Sequence, residues 1–245
     1  MAYNFNIRPY LVINGIDSRS IPGLLISSLP PITLPPIRTN IETIDGKDGD
    51  IITKLGYSAY DKTFDIGLYG DYNVDDIISF FAQEGKVVFG NEPDKYYFFS
   101  CLNQIDFERL IRYKTASVTF HIQPFKYAED ENERTIALDR NVGRYTITVR
   151  NSGNIFSRPV IKIKASEDVS LLINDIDILV IDFPVTEEEI TIDPSEMEAY
   201  FSNGDLANRR ITGDYDNIKL NVGYNTITLI GAVSEVSLQK LSRWL

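Results

Sequence analysis

At 245 residues, with 43% hydrophobic and 24% charged residues, the chain has room for one large folded domain or two ordinary ones. Its formal net charge of −11 argues against a protein that grips DNA phosphates, which needs clustered Lys and Arg, but leaves open a channel along which DNA slides. Its single Cys, Cys101, rules out an intrachain disulfide, and its flanks mark it as a buried strand thiol with a structural role. The chain carries 14 Tyr and 13 Phe against two Met, a balance that favours sheet over helix bundle. The start, MAYNFNIRPY, lacks the cationic and apolar regions of a secretory signal, so folding in a cytoplasm is expected. No apolar run approaches the roughly 20 residues of a membrane span, so no membrane insertion is expected.

Residues 3–14 read as a first strand ending at the Asn14-Gly15 turn. Leu24 to Pro36, LLISSLPPITLPP, holds two Pro-Pro pairs that remove backbone donors and fix φ. It suits an extended arm or an edge, and it is too apolar for a free linker. Either it lies on its own domain or it reaches over a neighbouring subunit. Leu29, Pro30, Pro31, Ile32, Leu34, Pro35 and Pro36 are therefore candidate interface residues. Asp45-Gly46 and Asp48-Gly49 mark reversals in a turn-rich crossover, which adds Asp45 and Asp48 to the candidates. From Lys62 to Tyr69, Phe64, Ile66 and Leu68 alternate as on a half-buried strand. A helix is predicted over Asn73 to Gln83. Asn73 caps it, Asp75 and Asp76 lie in its first turn, Ile77, Phe80 and Phe81 form its apolar face, and Gly85 ends it.

Strands follow at Lys86 to Phe89, Lys95 to Leu102 and Lys114 to Gln123, with Gly90 to Asp94 as a loop. His121, the only His, falls on the polar face of the last of these, where a solvent or interface role outweighs a metal ligand. The charged run from Ala128 to Arg134 marks a boundary between domains at 1–130 and 131–245. Beyond it many short strands alternate, around Ile147, Ile161 to Ala165, Leu171 to Ile173, Ile178 to Phe183, Glu189 to Ile192, Ile227 to Leu229 and Val236 to Leu238. That spacing argues for a β-sandwich, with one helical turn around Glu196 to Tyr200 as the sole departure.

Motifs for chemistry are scarce. The sequence has no phosphate-cradling Gly-Lys-Ser/Thr loop, no Gly-x-Gly-x-x-Gly and no Gly-x-Ser-x-Gly elbow. Asp175 and Asp177 alternate as calcium ligands do, yet the Gly and closing Glu of an EF-hand loop are missing. Glu187-Glu188-Glu189 reads as a solvated run, and no acid pair for glycoside hydrolysis can be assigned. Neither enzyme activity nor a cofactor or metal is expected.

Several fragments, in order, carry a resemblance. They are Ile44-Asp45-Gly46-Lys47-Asp48-Gly49, Leu55-Gly56-Tyr57, Asn91-Glu92-Pro93-Asp94-Lys95-Tyr96-Tyr97 and Phe120-His121-Ile122-Gln123-Pro124-Phe125-Lys126-Tyr127. In the second half they are Asn151-Ser152-Gly153-Asn154, Ser157-Arg158-Pro159, Thr191-Ile192-Asp193, Gly213-Asp214-Tyr215 and Leu220-Asn221-Val222-Gly223-Tyr224-Asn225. With these, the chain resembles the distal tail proteins (Dit) of non-contractile, long-tailed phages of Gram-positive bacteria. The resemblance implies a mainly β fold: an N-terminal tail-tube-like β-sandwich with one helix and an extended arm, then a C-terminal galectin-like β-sandwich. It implies a homo-hexameric ring at the tail tip of the virion, assembled in the host cytoplasm, with a belt reaching to the next subunit. The Pro-rich arm or the Asp-Gly-rich crossover supplies that belt. Implied partners are the tail tube protein, a tail-associated tip protein and receptor-binding or baseplate proteins, with DNA passing through the lumen unbound. The alternative is a carbohydrate-binding virion protein used in host adsorption. The galectin-like expectation invites it, as does an exposed-aromatic budget that includes Trp244, for which packing of a terminal strand is the stronger reading.

Overall fold

The computed structural model describes residues 8–102 and 104–245. It divides into two compact units, Met1–Glu129 and Asp130–Trp244. The fold is mainly β.

The first unit is a curled sheet around one apolar core. In chain order its strands are β1 (Leu11–Ile13), β2 (Ile16–Asp17), β3 (Leu24–Ile26), then β4 (Ile37–Thr43) and β5 (Asp50–Tyr57), which pair apart from the rest, and β6 (Tyr60–Leu68), β7 (Gly85–Phe89), β8 (Lys95–Ser100) and β9 (Thr115–Ala128). The main sheet runs β2-β1-β7-β8-β9-β6-β3. Asn14 and Gly15, both at positive φ, make the two-residue turn between β1 and β2. Residues 3–7 of the expected first strand lie outside the described residues. Phe64 on β6 anchors the core, 5.0 Å from Phe120, 6.2 Å from Phe89 and 6.3 Å from Phe81 between ring centroids.

Helix α1 (Val74–Phe81) turns Ile77, Phe80 and Phe81 onto this core, and the Asn73 side chain accepts from the Asp75 amide at 3.0 Å. Gly85 does not end it. The helix closes with the Ala82 amide donating to the Ile78 carbonyl, and Gly85 opens β7 at φ +126°. A Cβ there would lie 2.6 Å from Asn14 Oδ1, so glycine is needed for the close approach of β7 to the β1–β2 turn. A second helix, α2 (Phe107–Tyr113), adds to the one expected. It is short and buries only Leu110, so its period barely registers in the sequence, although Asp106 caps it at 2.8 Å from the Arg109 amide. Strand β9 also runs on through Pro124. Its register against β8 jumps from Lys126–Tyr97 to Ile122–Phe99, and that bulge holds the proline where the ladder needs no donor.

The second unit is a sandwich of two five-stranded antiparallel sheets. Its strands are β10 (Arg134–Ala137), β11 (Arg144–Asn151), β12 (Val160–Ala165), β13 (Val169–Ile173), β14 (Ile176–Ile181), β15 (Glu188–Asp193), β16 (Glu198–Phe201), β17 (Ile211–Gly213), β18 (Gly223–Ile230) and β19 (Val233–Gln239). One sheet runs β10-β19-β12-β15-β16 and the other β11-β18-β13-β14-β17. Inward residues such as Ile161, Ile163, Leu171, Ile190 and Leu229 fill the space between them. Asn174 and Asp175, at φ 53° and 62°, form the tight turn between β13 and β14, which gives that Asp a backbone reason for its place. The segment expected as a helical turn at Glu196 to Tyr200 is instead the turn into β16, paired with β15 through Thr191–Tyr200 and Ile192–Ala199.

Candidate functional site

The turn-rich crossover expected around Asp45-Gly46 and Asp48-Gly49 is a hairpin. Strands β4 and β5 pair with each other and, among the described residues, with no other strand. Asp45-Gly46 and Asp48-Gly49 form its tip, with both glycines near φ +80° and the Lys47 amide donating to the Ile44 carbonyl at 3.1 Å. Its side chains are nearly all exposed, so no buried face imposes an alternating pattern, and the two strands were not readable from periodicity. Seven or eight residues at about 3.3 Å each give arms of roughly 25 Å.

A two-stranded hairpin standing alone is marginal in water. This one also displays apolar side chains: Ile41 and Ile52 stand opposite each other, 58% and 62% exposed, and Leu55 in the bulge of β5 is 59% exposed.

The Pro-rich segment is the root of this hairpin, and its residues divide between two roles. Pro30 and Pro35 are buried on their own unit, and Leu29 packs against its core. Pro31, Ile32, Leu34 and Pro36 face outward, as do Asp45 and Asp48 at the tip. The Lys62 ammonium donates to the Pro31 carbonyl at 2.7 Å, and the Asn91 amide to the Pro30 carbonyl at 3.1 Å. The Ser58 amide donates to the Pro36 carbonyl at 2.9 Å, and the Tyr57 ring meets Phe125 edge-on at 5.5 Å. The hairpin thus leaves a fixed base.

Beneath that base lies a buried ionic network. Glu92, 1% exposed, accepts from Lys126 Nζ at 2.8 Å and from the Tyr97 hydroxyl at 2.6 Å. Lys62 lies 5.3 Å from the centre of the Tyr97 ring. Burial pulls its pKa down to about 8; Glu92 opposes the shift and Lys126 adds to it. A buried charge is tolerated only with partners, and here Glu92 pairs with Lys126 while its field also favours the Lys62 ammonium, which donates to the Pro31 carbonyl.

The comparisons bear on the fold. No protein-family model matches the sequence, and no curated protein matches it either. Among solved structures, the crystal structure of the Dit protein of phage SPP1 aligns over 97% of this chain and 99% of its own, with 18% identity and a TM-score of 0.66. The chain has the Dit fold. The SPP1 protein is described as a paradigm of the hub adsorption apparatus in phages that infect Gram-positive bacteria. A chain of the phage P2 baseplate in its activated, calcium-bound conformation aligns over 95% of this chain and 98% of its own, with 10% identity and a TM-score of 0.46.

Within this Dit fold, three side chains of the root escaped the sequence reading. Lys62 shares the register of Phe64, Ile66 and Leu68, and Lys126 that of Phe120 and Ile122, so a lysine on an apolar face was the available signal. Glu92 sits in a loop and gave none. His121 lies on the polar face of β9 and pairs with Asp61 at 2.8 Å. No cluster of metal-ligating side chains occurs among the described residues, and no helix among them is long and apolar enough to cross a membrane.

Proposed function

We propose that the protein is a structural hub of a phage tail tip, and that six copies close into a ring with each β4–β5 hairpin laid on the neighbouring subunit. The exposed, self-paired hairpin on its fixed Pro-rich root is the observation that carries this reading. A heterologous contact of this kind generates a ring when its rotation closes. The Dit fold supports the assignment, since the matched SPP1 protein is described as a hub. The tail tube protein and a tail-associated tip protein stack on the ring, and the C-terminal sandwich carries baseplate or receptor-binding proteins. The chain's charge of −11 suits a lumen that passes DNA without binding it. Host cytoplasm is the place of assembly, the virion the final location, and the role is mechanical rather than catalytic.

Replacing residues 39–54 with a short Gly-Ser turn tests the belt directly. The root contacts of Lys62, Asn91 and Ser58 lie outside the replaced segment. The shortened protein is expected to keep its melting temperature, to appear at the mass of a single shortened chain and to lose the ring in native mass spectrometry. A ring that survives the replacement contradicts the belt.

A further inference from the structure

The second unit carries an open edge that the proposed ring leaves unexplained. Strand β11 ends its sheet and, among the described residues, pairs on one side only, with β18, in an unbroken register from Arg144–Ile230 to Asn151–Gly223. The Gly231 amide donates to the Gly143 carbonyl at 2.9 Å, which fixes the phase of this ladder. Antiparallel bonding alternates, so odd positions of β11 bond to β18. The backbone groups of Arg144, Thr146, Thr148 and Arg150 therefore point away from the sheet. Lys240 Nζ reaches the Arg150 carbonyl at 3.4 Å from the far side, in agreement with that phase. The strand holds no proline and no bulge, two devices that usually close such an edge.

Beside the edge runs a slot of about 150 Å³ between the two sheets, lined by Ile136, Ile147, Val149 and Leu238 with Arg134, Arg150 and Lys240 at its rim. It is well below the 300 Å³ or so of a small-molecule pocket and is of the size of a side chain. Glu131 pairs with Lys240 at the rim itself, at 2.9 Å, and Glu133 holds Lys162 at 3.0 Å, which leaves the arginines as the unneutralised charges. Arg134 and Arg144 form no ion pair among the described residues, and Arg150 lies over the Tyr224 ring at 5.8 Å. In an acidic chain this edge is locally cationic. Pairing with β11 of a second copy would set these arginines against like charges, which disfavours a self-paired edge.

We propose that the free edge of β11 docks an extended segment of a partner protein, with alternating apolar and acidic residues, as an added strand. Its backbone bonds to residues 144–150, its apolar side chains enter the slot, and its carboxylates face Arg144 and Arg150. The site lies wholly on the Asp130–Trp244 unit and is read on that unit whether or not the chain forms a ring.

A fluorescein-labelled peptide, acetyl-TEITIET-amide, tests this on the full chain at 50 mM salt, with acetyl-TKITIKT-amide beside it. The acidic peptide is expected to saturate and to bind at least tenfold tighter than the basic one. Hydrogen exchange of the Thr146 and Thr148 amides should slow on binding. The R144E/R150E variant should invert the preference between peptides. Thr148→Pro, which removes an outward amide and none of the ladder to β18, should abolish binding with the fold intact by circular dichroism. Should that variant misfold, the charge reversal alone decides. No saturation below 1 mM, equal binding of the two peptides, or protection confined to other strands overturns the proposal. So does slow exchange at Thr146 and Thr148 in the peptide-free protein that quickens on dilution, since a second copy would then cover the edge.

Discussion

Removing Glu92 should unfold the first unit more readily than removing either lysine it serves. The carboxylate is buried, and it accepts one charge-assisted bond from Lys126 and one from the Tyr97 hydroxyl. Glu92→Leu leaves the Lys126 ammonium without its acid, strips Lys62 of a compensating charge and removes one acceptor of the Tyr97 hydroxyl. Breaking a buried pair from one side costs about 3–5 kcal/mol, and this change belongs at the upper end. Lys126→Met leaves the carboxylate with the Tyr97 donor and removes the repulsion on Lys62, so about 3 kcal/mol is expected. The double variant buries apolar groups in place of both charges. Its cost should be no more than about 3 kcal/mol, far below the sum of the singles, because no buried charge is left unpaired. Because two units need not unfold together, the assay is hydrogen exchange by mass spectrometry in a urea series, read on β6, β8 and β9. Additive single costs, or a Glu92→Leu loss below about 1 kcal/mol, would refute the network as the support of the hairpin root.

Three further outcomes follow from the same geometry. Lys62 should give stability a pH dependence that Lys62→Met lacks. The native pKa of about 8 lies below the ordinary 10.5, so between these values the folded chain releases a proton that the unfolded chain keeps. The wild type should therefore gain stability relative to the variant as pH rises through that window, as read from urea midpoints, and a falling difference would contradict the burial of the ammonium. The I41T/I52T variant, which sets no like charges opposite each other on the hairpin, should keep the monomer's stability within about 0.5 kcal/mol, as exposed positions allow. Yet it should weaken ring assembly by about 2–4 kcal/mol per contact, the transfer value of two half-exposed isoleucines, measured by sedimentation across a concentration series. Phe64→Ala should cost about 3–5 kcal/mol in the first unit's exchange-resolved stability and leave the β12 and β18 amides unchanged, since its ring packs within one core.

How far the sequence could be read depended on burial. Strands with one buried face, such as β6, β9 and β12, declared themselves by period 2, and α1 by its cap and its Ile77–Phe81 face. The Asp-Gly turns located the hairpin tip, but β4 and β5 have no buried face and so no pattern to read. Helix α2 buries one residue, and the short β10 and β17 pair at or near sheet edges where alternation is weak. Gly85 misled because a glycine after a helix usually caps it, whereas this one admits the Asn14 side chain. Of the Pro-rich candidates, the backbone carbonyls of Pro30, Pro31 and Pro36 proved to be what the fold grips, a role invisible in residue type. The ionic root was half visible, in two lysines on apolar registers. Its acid lay in a loop that no periodicity reaches.

The measurement that bears most directly on the ring is the solution mass of the full chain, with negative-stain images of the same sample. One chain is 27.8 kDa, so six give about 167 kDa. The expected result is that mass, together with a six-fold ring around an open centre. A protein that stays monomeric from micromolar to millimolar concentration, with no ring on the grid, would contradict the hub.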